Sequence, residues 1–117
     1  MNTRFSTMLR GRSKPGTMNK TEADYAQALE LQKIAGEVLW YAYEAITFKL
    51  SKDTRYTPDF AVMDKEGFLE CHECKGYWDD KAKVKIKVAA SLFPCRFIAI
   101  KKSPKKSGGG GWEIEEY

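Results

Sequence analysis

The stretch YTPDFAVMDKEGFLECHECK, residues 56–75, decides how the chain is read. Phe60 and Val62 alternate with their neighbours, so the segment from about Tyr56 to Met63 predicts a strand. Asp64-Lys65-Glu66-Gly67 predicts a tight turn, with Gly67 taking a positive φ that other residues resist. Phe68 to about Lys75 then predicts the returning strand, which stops at Gly76. On a strand Glu73 and Lys75 project to the same face, and a hairpin partner brings Asp59 beside them. Two carboxylates aimed at one point repel each other unless a cation lies between them, and hard oxygen ligands suit Mg²⁺ or Mn²⁺. A lysine beside such an ion positions a water and helps it lose a proton, the activated nucleophile that phosphodiester hydrolysis needs.

Helix signals lie on both sides of this hairpin. Asn19 with Glu22, or Thr21 with Asp24, forms a capping pair. Tyr25, Leu29, Leu31, Ile34, Ala35 and Val38 follow at helical spacing, with Gly36 near the end. Trp40 to Leu50 is aromatic and β-branched, and Ile46, Phe48 and Leu50 alternate as in a half-buried strand before a polar turn at Ser51 to Arg55. Asp79 or Asp80 caps a second helix through Leu92, with Val84, Val88 and Leu92 aligned and Pro94 beyond its end. Phe97 to Ile100 is a short strand and Trp112 to Tyr117 a candidate last one. The order is α, three strands, α, one or two strands, without internal repeats. Residues 1–18, with Gly11, Pro15 and Gly16 and no apolar period, read as a flexible basic arm. Residues 19–117 read as a single domain with a Lys/Gly-rich loop near 101–111.

At 117 residues the chain is one small domain and excludes a pair of independent cores. Hydrophobic content of 43% supplies one core and argues against wholesale disorder. No apolar run approaches the roughly 20 residues that span a bilayer, and Met1 to Lys14 leads into polar residues rather than a signal-peptide core. Three cysteines do not build a secreted disulfide framework. The expectation is a soluble cytoplasmic protein with no membrane partner. The net charge of +4 conceals segregation: residues 1–20 hold five basic and no acidic residues, 21–80 six basic and 13 acidic, 81–106 nine basic and none acidic, and 107–117 three acidic. Carboxylate-free basic flanks suit a polyphosphate partner, and a carboxylate-rich middle tolerates one only with a cation between them. The combination points toward metal-dependent chemistry on nucleic acid, whereas charge as the only clue would favour an ordinary solvated surface.

Pro58-Asp59 followed by Glu73-Cys74-Lys75, on adjacent strands between two helices, resembles the PD-(D/E)XK nuclease superfamily, especially its small phage-encoded endonucleases and Holliday junction resolvase-like members. The resemblance runs from about residue 20 to 101. It implies a restriction-endonuclease-like αβββαβ core, α/β (α+β), whose mixed central sheet is flanked by helices. It implies that Asp59 and Glu73 bind Mg²⁺, with Mn²⁺ able to substitute, that the Cys74 main-chain carbonyl is a further ligand, and that Lys75 is catalytic. A first-helix glutamate is common in the family, and Glu22 matches it, three and four residues before Tyr25 and Ala26 on the core-facing side. The implied activity is hydrolysis of DNA, including branched or junction DNA, by a homodimer with two active sites in the cytoplasm, that of the host cell if the gene is phage-borne. Backbone phosphates are assigned to Lys81, Lys83 and Lys85 on the second helix, to Lys101, Lys102, Lys105 and Lys106, and to Arg10, Arg12 and Lys14 in the arm.

Other readings fit less well. A zinc set of Cys71, His72, Cys74 and Cys95 lacks a second paired spacing, and positions 71 and 74 of a strand face opposite ways. A thioredoxin-like CxxC would open a helix, whereas Lys75-Gly76 follows here. His72 should face away from Glu73, and Glu70 shares its face in a structural or solvated role. The four glycines at 108–111 lack a following Lys-Ser or Lys-Thr, so they make no phosphate-cradling loop. Trp78 suits the core better than base stacking. The rival from another class is a catalytically silent nucleic-acid-binding or host-factor-binding protein of the same fold, for which crowded carboxylates bring no advantage.

Overall fold

A computed structural model describes residues 16–75, 80–103 and 111–117. Asn19 caps helix α1, Lys20–Ile34, reciprocally: its side chain accepts from Glu22 N–H at 2.8 Å, and Glu22 Oε1 accepts from Asn19 N–H at 2.9 Å. Of the two capping pairs open to the sequence, this one forms. The helix stops before Gly36, whose φ of +84° reverses the chain, so Val38 opens strand β1, Val38–Tyr43, instead of extending the helix.

The strand expected across Trp40 to Leu50 is two strands. Glu44 takes a φ of +48° at the end of β1, and β2, Phe48–Ser51, leaves the main sheet to pair with β3, Thr54–Tyr56, in a separate two-stranded hairpin. The next expected strand is also shorter, because Thr57 to Asp59 separate β3 from β4, Phe60–Asp64, and Pro58 has no N–H for a ladder. The turn to β5, Leu69–Cys74, is as the sequence predicts. Asp64 Oδ1 accepts from Glu66 and Phe68 N–H, each at 2.9 Å, and Gly67 sits at φ +89°. Helix α2, Asp80–Leu92, and strands β6, Arg96–Lys102, and β7, Trp112–Glu116, complete the described chain.

Among the described residues the fold is α+β, with a mixed five-stranded sheet in the order β1-β4-β5-β6-β7 and two helices. β1, β4 and β5 form an antiparallel meander, β6 runs parallel to β5 after α2, and β7 returns antiparallel to β6. Tyr25 and Leu29 of α1 pack on Phe60 and Val62 in one core. Ile86 and Ala89 of α2 pack on Cys71 and Phe97 in the other, which the β2–β3 hairpin closes with Phe48 and Tyr56.

The first helix buries the expected Tyr25 and Leu29 but leaves the later members of its apolar line exposed, and the second buries a line other than the expected one. α1 buries Glu22, Tyr25 and Leu29, while Leu31 and Ile34 lie off that line and are 67% and 74% exposed. α2 buries Ile86 and Ala89, and Val84 and Leu92 of the expected line are exposed. The small Ala89 side chain suits the side that lies against Phe97 and the hairpin. Among the described residues no helix is long and apolar enough to cross a membrane.

Candidate functional site

The β4–β5 ladder pairs Phe60 with His72, so one step further toward the open end Asp59 comes beside Glu73. Two main-chain bonds fix that end: Glu44 N–H donates to Asp59 O and Lys75 N–H to Ile100 O, each at 2.8 Å. Asp59 Oδ2 accepts from Cys74 N–H at 2.8 Å, and the side chain is buried. Glu73 Oε1 accepts from the Tyr56 hydroxyl at 2.8 Å, and its Oε2 lies 3.2 Å from Lys75 Nζ, as expected for side chains two apart on a strand. Glu22 reaches the same place from the first turn of α1. It is 5% exposed, accepts from the Tyr43 hydroxyl at 2.9 Å, and lies close enough to Asp59 for its charge to act on that carboxyl. The four expected acid and lysine positions, Glu22, Asp59, Glu73 and Lys75, are thus brought together from three places in the chain.

The electrostatics follow from that crowding. Burial pushes the Asp59 carboxyl up to about 8, and the charges of Glu73 and then Glu22 push the same way against the Cys74 N–H bond. Burial and the neighbouring Glu73 raise the Tyr56 phenol, so it remains a hydrogen-bond donor. Tyr43 and Tyr56 are the members that sequence reasoning missed. The available signal was position: Tyr43 pairs with Phe60, the neighbour of Asp59, and Tyr56 stands three residues before Asp59.

The other face of β5 is structural. His72 is buried and turned away from Glu73, with Nδ1 2.7 Å from the Tyr25 hydroxyl and Nε2 2.9 Å from Glu70 Oε1. A carboxylate only accepts, so Nε2–H donates to Glu70. Glu70 Oε2 accepts from Arg96 at 2.7 Å, and Arg96 also donates to both oxygens of Glu116 at 2.8 and 2.9 Å. The cysteines do not converge on a zinc site. Cys74 packs against α1, whereas Cys71 packs on the α2 side in the cluster that Cys95 borders. Burial and Cys95 push the Cys71 thiol up to about 12.

Among the phosphate-binding candidates, Lys81, Lys83 and Lys85 are exposed on α2 and Lys101 is exposed on β6. Lys102 is tied to the Asp24 carboxylate of α1 and lies 5.9 Å above the Trp112 ring. Arg10, Arg12, Lys14, Lys105, Lys106 and Trp78 lie outside the described residues.

The donor set suits a divalent cation, since three carboxyls with one nearby ammonium leave surplus negative charge that already opposes Asp59 ionisation. Yet among the described residues no three His, Cys, Asp or Glu side chains are arranged to hold an ion as they stand. The hydrogen bonds explain this: Glu22 is turned to Asn19 and Tyr43, and Glu73 to Tyr56 and Lys75. A bound ion would draw oxygens out of those bonds. No protein-family model, curated protein or solved structure matches the chain.

Proposed function

We propose that the chain is a metal-dependent endodeoxyribonuclease of the PD-(D/E)XK type, hydrolysing phosphodiester bonds in DNA. The observation that carries this reading is the meeting of Glu22, Asp59 and Glu73, from α1, the entry to β4 and β5, beside Lys75. The element order supports it as well. A helix bearing Glu22 precedes a three-stranded meander, Pro58-Asp59 leads into its second strand, Glu73-Cys74-Lys75 ends its third, and a crossover helix leads to a parallel strand. In this reading the order is that of a restriction-endonuclease-like αβββαβ core, with the β2–β3 hairpin and β7 as additions.

Asp59 and Glu73, with the Cys74 carbonyl, would hold Mg²⁺ or Mn²⁺, and Glu22 would support that ion or a second one. When bound, the cation neutralises charge gathering on phosphorus and acidifies a water. Lys75, steadied by Glu73 Oε2, orients that water. Its oxygen forms the new bond to phosphorus as the ester bond to the departing strand breaks. Tyr43 and Tyr56 hold the carboxyls in place through their hydroxyls. The exposed lysines Lys81, Lys83 and Lys85 of α2 bind backbone phosphates without reading sequence.

The test is a cleavage panel of labelled duplex, single-stranded and four-way junction DNA with Mg²⁺ or Mn²⁺. Metal-dependent cutting of at least one substrate is expected, with Lys75→Ala abolishing cutting while DNA binding persists. If the protein binds Mn²⁺ no better than Asp59→Ala and cuts none of the substrates, the nuclease reading is wrong and a silent binder of the same fold replaces it. Sedimentation of the same samples reads whether a homodimer presents two such sites.

A further inference from the structure

The β2–β3 hairpin carries an electrostatic arrangement that folding alone does not explain. Its inner side is fixed in the α2-side core: the Phe48 ring lies 4.8 Å from Phe93 and 5.2 Å from Phe97, and Tyr56 packs beside them. Because side chains alternate along a strand, fixing Phe48 and Tyr56 inward sends Lys49 and Arg55 outward. The register places these two directly opposite each other, and both are exposed. Like charges directly opposed across an antiparallel pair destabilise it. Lys52 at the hairpin tip adds a third cation against one acidic residue, Asp53.

Among the described residues no carboxylate pairs with Lys49 or Arg55, whereas Lys20, Lys65, Lys75, Arg96 and Lys102 each reach an acidic partner. The neighbouring helix extends the same surface, because α2 packs on both hairpin strands and exposes Lys81, Lys83, Lys85 and Lys87. The hairpin also touches the acid cluster directly, since Tyr56, one residue after Arg55, donates to Glu73. A surface that keeps cations opposed and unpaired beside a carboxylate site suits an anion with regularly spaced charges.

We infer that the β2–β3 hairpin is a backbone grip for duplex DNA, with Lys49 and Arg55 each contacting a phosphate next to the acid cluster. The identity of the partner rests on the nuclease reading, while the grip itself rests on the cationic pair. The hairpin thereby has two sides with two tasks: the outer side holds the strand and the inner side holds Glu73.

The test is the salt dependence of binding of a short labelled duplex in EDTA, read by fluorescence anisotropy for the wild-type chain and Lys49→Gln/Arg55→Gln. Each lost phosphate contact lowers the slope of log affinity against log salt by about 0.9, so the double variant should fall by about 1.8 and each single variant by half of that. Between about 50 and 200 mM salt the wild type should then lose about 12-fold more affinity than the double variant. Its thermal midpoint should equal or exceed the wild type, because the opposed charges are gone. An unchanged slope overturns the inference, as does wild-type protein that binds no duplex. An equal drop for Lys33→Gln, an exposed α1 lysine with no ion pair among the described residues, overturns it too, by showing that the attraction is diffuse. A slope difference in a protein that cuts no DNA upholds the grip and removes the nuclease reading alone.

Discussion

Replacing Asp59 by asparagine should stabilise the metal-free protein. Asparagine keeps an oxygen for the Cys74 N–H bond and removes the charge that Glu22 and Glu73 oppose. In the unfolded chain Asp59 ionises at the ordinary aspartate value of 3.8, while in the fold burial and its neighbours raise it to about 8. Unfolding therefore releases a proton between those values, and each pH unit in that window lowers wild-type stability by about 1.4 kcal/mol. Across the window the ceiling is roughly 6 kcal/mol. Part of that ceiling comes from burial, which a polar asparagine side chain also meets, so we expect a gain of about 2 kcal/mol at pH 8, or about 6–12 °C in Tm for a chain of this size. The penalty is absent below pH 3.8 and complete above about pH 8, so the gap between variant and wild type should open across that interval. Thermal and urea unfolding in EDTA from pH 4 to 9 measures it. A variant equal to or less stable than wild type at pH 8 refutes the reasoning, because the carboxyls would then not oppose one another. Adding Mn²⁺ should narrow the gap by stabilising the wild type alone.

Tyr56→Phe removes the donor to Glu73 Oε1 and should cost about 1–3 kcal/mol in urea unfolding, with weaker Mn²⁺ retention in an electron paramagnetic resonance titration. Ile86→Ala opens a cavity where α2 meets Phe97 and should cost about 2–5 kcal/mol, with little change in Mn²⁺ binding. Arg96→Ala leaves the buried Glu70 carboxylate facing only His72. It should cost about 1–2 kcal/mol, less than a fully buried pair because the guanidinium side chain is half exposed. Faster amide exchange confined to β7, which loses its Glu116 anchor, is the measurement.

The hairpin from Phe60 to Cys74 was legible because its signals are local. An Asp-x-x-Gly turn and two-residue alternation set the register, and the register alone brings Asp59 to Glu73. Glu22 was legible through its place in the first helix, three and four residues before Tyr25 and Ala26 and so on the core-facing side. Strand partnership was not legible. Ile46, Phe48 and Leu50 alternate correctly, yet the reversal at Glu44 uses a residue with no turn signature, and nothing local says that β2 leaves the main sheet. Tyr43 and Tyr56 stayed hidden for the same reason, because their roles depend on which strands meet. The helices misled in another way. Each has an apolar line that competes with its buried one, and the choice is made by what lies across the interface, Phe60 for α1 and Phe97 for α2.

Strand β5 has no side open to water: every residue from Leu69 to Cys74 is buried or half-buried. Glu70, His72 and Cys74 serve the α1 side, while Cys71 packs in the α2-side core and Glu73 joins the acid cluster, so a substitution along this strand costs either packing or the cluster. Mutational tolerance must then lie elsewhere, in the exposed side of α1, the α2 lysines and the tip of the β2–β3 hairpin, where charge changes disturb no packing. Charge on this surface can therefore be changed without disturbing the strand beneath it.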